Sequence, residues 1–227
     1  MVDDKQASKQ RPEKRKMAIL KRIGLFLICV MVVCGFSCLL QTHFFRTGVF
    51  DINDQNAPIA AEPSGKNWAE RLELSGVPNF HKVSENLYRG GQPTAEGMRQ
   101  LEKMGIKTVI NLRSFHSGEG EIKGTALNYE HIYMKPWYAE NKEVIRFLQI
   151  VTDPNRVPAF VHCQRGADRT GTMCAIYRVA VQGWSKSDAI SEMTKGGFGF
   201  YSGWQNLVNY ILKLDIEEIK RQSNLKE

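Results

Sequence analysis

The chain has 227 residues, 42% of them hydrophobic and 24% charged, with a formal net charge of +7. This balance excludes collagen-like, low-complexity and wholly disordered chains, and it suits one domain of about 150 residues plus extensions. The positive charge does not imply a nucleic-acid partner. Residues 1–22 carry eight Lys or Arg against three Asp or Glu, so the excess belongs to one end of the chain.

That basic tail precedes Ile23 to Leu40, eighteen residues without a charge. At 1.5 Å per residue such a run spans about 27 Å as a helix, close to the hydrocarbon thickness of a bilayer. The expected division is a cytoplasmic tail over 1–22, a transmembrane anchor over 23–45, a linker over 46–66 and a folded domain over 67–227. The basic flank puts the N-terminus in the cytoplasm and the domain on the periplasmic or extracytoplasmic side of a single-pass membrane protein. Two alternatives stand beside the anchor. A cleaved signal peptide ordinarily has a shorter apolar region and a small-x-small site, and lipidation at Cys38 would set bulky Phe36 near the cut. Three of the five cysteines (Cys29, Cys34, Cys38) lie in the apolar run. The folded domain has only Cys163 and Cys174, too few for a disulfide framework.

Residues 46–66 contain Pro58, Pro63 and Gly65 and read as linker. Short strands are expected at Phe80–Val83 and Leu87–Tyr88, with a tight turn at Gly90–Gly91. Thr94 caps a helix that runs to Met104 and stops at Gly105. Lys107–Leu112 is a β-branched strand, 114–126 a loop and Tyr129–Met134 a further strand. A loop from Lys135 to Asn141 leads to a helix over Glu143–Val151. Pro158–Val161 is a short apolar run suited to a central strand covered on both faces. Helices are expected at about 170–182, 185–194 and 203–221. The alternation predicts an α/β fold with a mostly parallel central sheet flanked by helices.

Val161-His162-Cys163-Gln164-Arg165-Gly166-Ala167-Asp168-Arg169-Thr170-Gly171 joins the buried strand to a helix. Loop N–H groups and a helix N-terminus together form an anion site. Gly166 permits the tight loop, and Arg169 offers a planar fork for two phosphoryl oxygens. The same field lowers the pKa of Cys163 and creates a thiolate nucleophile. Thr170 is placed to hydrogen-bond the sulfur when it leaves. Gln164, Arg165, Gly166, Ala167, Asp168 and Arg169 are the expected substrate-binding residues. The histidines show no close ligand spacing with one another, so no metal is expected.

Cys163 to Gly171 resembles the phosphate-binding signature of cysteine-dependent dual-specificity and tyrosine phosphatases. Leu87-Tyr88-Arg89-Gly90-Gly91-Gln92-Pro93 and Thr108-Val109-Ile110-Asn111-Leu112-Arg113 are similar to segments of the atypical dual-specificity group. Ile176 to Trp184 and Gly196 to Gly199 are similar to bacterial periplasmic tyrosine phosphatases. The resemblance covers about residues 78–212. It implies a dual-specificity-type fold, no cofactor, and hydrolysis of phosphomonoesters through a cysteinyl-phosphate intermediate. The implied substrates are phosphotyrosine, phosphoserine or phosphothreonine on proteins, or a small phosphomonoester. The alternatives are a lipid, inositol or sugar phosphate, or a catalytically weak phosphoprotein-binding module.

The family ordinarily takes its general acid, an Asp, from a loop preceding the nucleophile. Here that loop (Lys135 to Asn141) has no Asp, and Glu140 is its only acid. Asp168 is the rival, at a position where some members of the family carry an Asp. Asp168 is therefore the expected donor and Glu140 the alternative. Trp137 and Tyr138 are candidates to wall the cleft, Trp204 is expected to be structural, and residues 196–203 form a rim.

Overall fold

The computed structural model describes residues 66–225. The expected tail, anchor and nearly all of the linker lie outside the described residues. Among the described residues no helix is long and apolar enough to cross a membrane.

Six strands form one sheet in the order β1-β2-β3-β6-β4-β5. They are β1 (Glu70–Arg71), β2 (His81–Ser84), β3 (Leu87–Gly90), β4 (Thr108–Asn111), β5 (Asn128–His131) and β6 (Ala159–His162). β3, β6, β4 and β5 run parallel, while β1 and β2 join antiparallel at one edge. The sheet is thus mixed, with a parallel part of four strands and an antiparallel edge. The short edge strand β1 carried no apolar pattern by which the sequence could announce it.

β6 occupies the middle of the parallel part, and all four of its residues are buried. Side chains alternate across it as the pleat requires. Ala159 and Val161 enter a core with Leu87, Ile110, Phe147, Leu148 and Ile176. Phe160 enters a second core with Val77, Phe80, Met98, Leu101 and Val109. Burial on both faces explains the uniformly apolar run.

The helices are α1 (Ala95–Lys103), α2 (Glu119–Ile122), α3 (Asn141–Val151), α4 (Asp168–Ala180), α5 (Lys186–Lys195), α6 (Gln205–Lys213) and α7 (Ile216–Gln222). Thr94 caps α1, its hydroxyl accepting from the Gly97 amide at 3.1 Å. α2 is a single turn inside the segment expected to be loop. The single helix expected over 203–221 is two helices. Leu214 is extended, and Asp215 accepts from the Glu218 amide at 3.0 Å to start α7. Lys186 Nζ donates to the Leu212 and Leu214 carbonyls at 2.7 and 2.6 Å, satisfying the end of α6.

Register decides where the chemistry sits. Gly90 and Asn111 both align with His162. β3, β6 and β4 therefore end level with one another, and their next residues form a ledge at the C-terminal edge of the sheet.

Candidate active site

Cys163 is the first residue past β6 and is 3% exposed. The loop after it bends back through Gly166, whose φ is +73°. A Cβ there would stand 2.4 Å from the Gly90 carbonyl carbon and 2.6 Å from the Gly91 nitrogen, so glycine is required twice over. The Gln92 amide donates to the Gln164 carbonyl at 3.1 Å, binding the β3 end to the loop. Gly90, the last residue of β3, and Gly91 after it are thus the seat of the phosphate loop rather than the expected tight turn.

A buried arginine supports the loop from below. Arg89 is 1% exposed, and its Nη2 donates to the Gly166 carbonyl at 2.8 Å. Its guanidinium lies 3.7 Å from the centre of the Phe198 ring. Asn79 Nδ2 donates to both the Arg165 and Phe198 carbonyls at 2.9 Å. Neither Arg89 nor Asn79 was assigned a role from sequence. An arginine in a buried strand immediately before Gly-Gly was the available signal for the first. The second depends on a contact between residues 86 apart.

Burial pushes the Cys163 thiol up, but the opposing influences win and its pKa is lowered. They are the Thr170 hydroxyl and amide, the Arg169 charge and the Gly166 amide. The Thr170 hydroxyl is fully buried, and the Cys163 sulfur is the group it acts on. It stands available to a sulfur that carries more charge.

Arg169 is 8% exposed, and its Nη1 donates to the Leu112 and Met134 carbonyls at 3.2 and 3.4 Å. Those carbonyls lie past β4 and β5, so three parallel strands cooperate to aim one guanidinium. His162 is buried, with Nδ1 3.2 Å from the Cys163 carbonyl. Only a protonated Nδ1 can bond that carbonyl, which leaves Nε2 bare and unpaired. Burial holds the ring neutral, its pKa lowered to about 3.

Cys163, Gln164, Arg165, Asp168 and Arg169 line one cleft of about 150 Å³, with Pro136 and Trp204 as its walls. That volume is about what holds a benzene-sized ring. Trp204, expected to be structural, is the aromatic wall. Trp137 and Tyr138 are 53% and 55% exposed and do not line the cleft.

Asp168 Oδ2 is 3.2 Å from Arg165 Nη2, and its Oδ1 accepts from the Tyr201 amide at 2.8 Å. The carboxyl thereby ties the 196–203 rim to the phosphate loop. Glu140 stands apart from the cleft at the start of α3. Its carboxylate pairs with Lys142 at 2.7 Å, and that contact lowers its pKa. Cys163 and Cys174 are both free thiols, the second buried and its pKa pushed up to about 11 by desolvation. Among the described residues no cluster of His, Cys, Asp or Glu is arranged to hold a metal.

Residues 73–205 match the family described as "DSP-PTPase phosphatase fused to NAD+ Kinase". The dual specificity protein phosphatase TpbA of Pseudomonas aeruginosa (strain UCBPP-PA14) is 28% identical over 173 residues, which are 73% of this chain and 75% of that one. The inositol diphosphatase DSP3 of Arabidopsis thaliana is 24% identical, over 76% of this chain and 81% of that one. Among solved structures, P. aeruginosa TpbA in complex with pTyr superposes with a TM-score of 0.62 at 25% identity, over 72% of this chain and 99% of that one. The cysteine on its anion-binding loop and the match over most of the folded domain lead to one assignment: the chain belongs to the DSP-PTPase phosphatase family and is a cysteine-dependent phosphatase.

Proposed function

We propose that the chain removes phosphate from phosphorylated proteins, phosphotyrosine foremost, on the extracytoplasmic side of a membrane. The observation that carries the chemistry is the lowered Cys163 thiol facing the same cleft as Arg169. The thiolate attacks phosphorus in line while Arg169 and the loop amides hold the equatorial oxygens. The P–O ester bond breaks as the leaving oxygen takes a proton. Water then attacks the cysteinyl-phosphate, the P–S bond breaks, and Thr170 donates to the departing sulfur. The phosphotyrosine preference is supported by the pTyr complex of TpbA and by an aromatic wall, Trp204, beside the loop.

Asp168 is the proposed proton donor, because it lines the cleft and Glu140 does not. The leaving oxygen needs a proton from a group that reaches into the cleft, and Asp168 is the carboxyl in its lining. Glu140, paired with Lys142, stays a carboxylate near neutral pH and is a poor donor.

The deciding assay is turnover of an aryl phosphate and a phosphotyrosyl peptide by the full-length chain, with and without chelator. Chelator-resistant turnover that vanishes in Cys163→Ser supports the proposal. A variant that turns over as fast as the parent overturns it, and a protein that only binds the peptide is a recognition module. The inositol diphosphatase relative supports a second reading, a phosphorylated ring as substrate, so an inositol phosphate belongs in the same assay. Reporters fused at the C-terminus test the membrane orientation. One that works only outside the cytoplasm is expected to be active.

A further inference from the structure

We propose that Arg113, presented together with Gln92 at the edge of the phosphate loop, binds a second anionic group on the substrate, a phosphoryl or carboxylate carried by the molecule whose phosphate Cys163 attacks. The inference rests on the phosphatase reading above and adds a substrate requirement to it.

The placement follows from the backbone. Arg113 comes directly after Leu112, whose amide donates to the His162 carbonyl at 2.9 Å and whose carbonyl receives Arg169 at 3.2 Å. The peptide that aims the catalytic guanidinium therefore also launches the Arg113 side chain. Its base is fixed on both sides. The Arg113 amide donates to Asn111 Oδ1 at 2.9 Å, and its carbonyl lies 2.6 Å from His131 Nε2. A rigid base reduces the ordering cost that a long side chain otherwise brings to binding.

The guanidinium itself is poorly satisfied. Arg113 Nη1 donates to Gln92 Oε1 at 3.3 Å, a long contact to a neutral group. The Gln92 amide is in turn bonded to the Gln164 carbonyl in the phosphate loop, which holds this pair at the rim of the cradle. Among the described residues no carboxylate pairs with Arg113. Several other arginines of the domain have one: Arg165 has Asp168, Arg178 has Glu192 and Arg156 has Glu130, while the buried Arg89 and Arg169 bond backbone carbonyls instead. Glu121, on the segment that follows Arg113, is occupied by His116 at 2.8 Å.

Arg113 also repels Arg169, lowering that residue's proton affinity alongside the larger effect of burial. A half-buried cation set beside another cation, with a fork of N–H groups only partly used, is matched by a planar or tetrahedral oxyanion. Arg113 is not in the lining of the cleft that holds Cys163, so its ligand is a group beside the scissile phosphate rather than that phosphate itself.

The test uses the full-length chain and compares Arg113→Met and Gln92→Ala with the parent. Substrates are p-nitrophenyl phosphate, which has one anionic group, and a phosphotyrosyl peptide flanked either by Glu or by Gln. Binding of myo-inositol hexakisphosphate and of inorganic phosphate is measured on Cys163→Ser protein, with and without Arg113→Met. The expected result is a KM at least about tenfold lower for a substrate with the second anionic group, with that advantage removed in Arg113→Met, the size expected for one charge-assisted contact. An advantage confined to the Glu-flanked peptide assigns the group to an acidic protein segment. One confined to the inositol phosphate assigns it to a polyphosphorylated ring. Equal losses on every substrate, or no advantage in the parent, overturn the proposal. If p-nitrophenyl phosphate is not hydrolysed at all, the phosphatase reading fails by itself. The binding preference of the Cys163→Ser protein still decides the subsite.

Discussion

The phosphate loop and the 135–141 segment follow the C-terminal ends of neighbouring parts of one sheet, yet they are built in opposite ways. The phosphate loop is pressed onto Gly90, held from below by Arg89 and tied sideways by Asn79. The other segment exposes Trp137 and Tyr138, and its glutamate, Glu140, is turned towards Lys142. The difference separates the two halves of the chemistry. Anion binding and thiolate formation are built from backbone amides, a helix terminus and buried cations, all of which the fold holds in place. Proton donation is different: Glu140, the carboxyl of the exposed segment, is paired with Lys142, and the proposed donor is Asp168 on the phosphate loop itself.

The sharpest way to break this contrast is Gly166→Ala. A Cβ 2.4 Å from Gly90 at φ +73° forces the loop to move, so turnover is expected to fall to background. Stability should drop by about 2–4 kcal/mol, measured from the urea midpoint. An equally large strain-free change in the 135–141 segment should do neither. Normal turnover in Gly166→Ala would show that the cradle is not rigid.

Next in size is the donor. Asp168→Asn should slow hydrolysis of an alkyl or phosphotyrosyl ester by roughly 10²–10⁴, and of a nitrophenyl ester by less, because an activated leaving group needs less help. Glu140→Gln should change either rate by less than about threefold. The opposite pattern would return the donor role to Glu140. Equal losses on good and poor leaving groups would mean that Asp168 shapes the loop through Arg165 and Tyr201 and donates nothing.

A smaller effect is expected at the sulfur. The Thr170 hydroxyl lowers the Cys163 thiol, so Thr170→Val should let its pKa rise. The thiolate form then appears only at higher pH, and the acid limb of the kcat/KM profile moves upward. Turnover should fall about tenfold below that limb and recover in part above it, while Thr170→Ser keeps the parent profile. An unmoved limb would remove the hydroxyl from the electrostatics of the site.

The smallest change compares the walls. Trp204→Ala should raise KM for an aryl phosphate about three- to tenfold, and Trp137→Ala less than twofold. A larger effect at Trp137 would mean that the exposed segment closes over bound substrate.

Much of this protein was determined locally. The buried run ending at His162, the glycine-bearing loop and the helix after it compose an anion site from adjacent residues, and adjacent residues are what a sequence displays. Cys163, Arg169 and the capped helix after Thr94 were legible for that reason. What only the tertiary structure decided involves partners far apart in the chain. Arg89 meets Gly166, Asn79 joins Arg165 to Phe198, Arg169 bonds carbonyls beyond β4 and β5, and Trp204 walls the cleft in place of Trp137. The same holds for the edge strand β1 and for the break at Leu214, which stand on cross-strand pairing and on Lys186 rather than on any periodicity. Hydrophobic period and loop chemistry act over a few residues, whereas hydrogen bonds to a ledge of strand ends depend on register, and register emerges only when the sheet has formed.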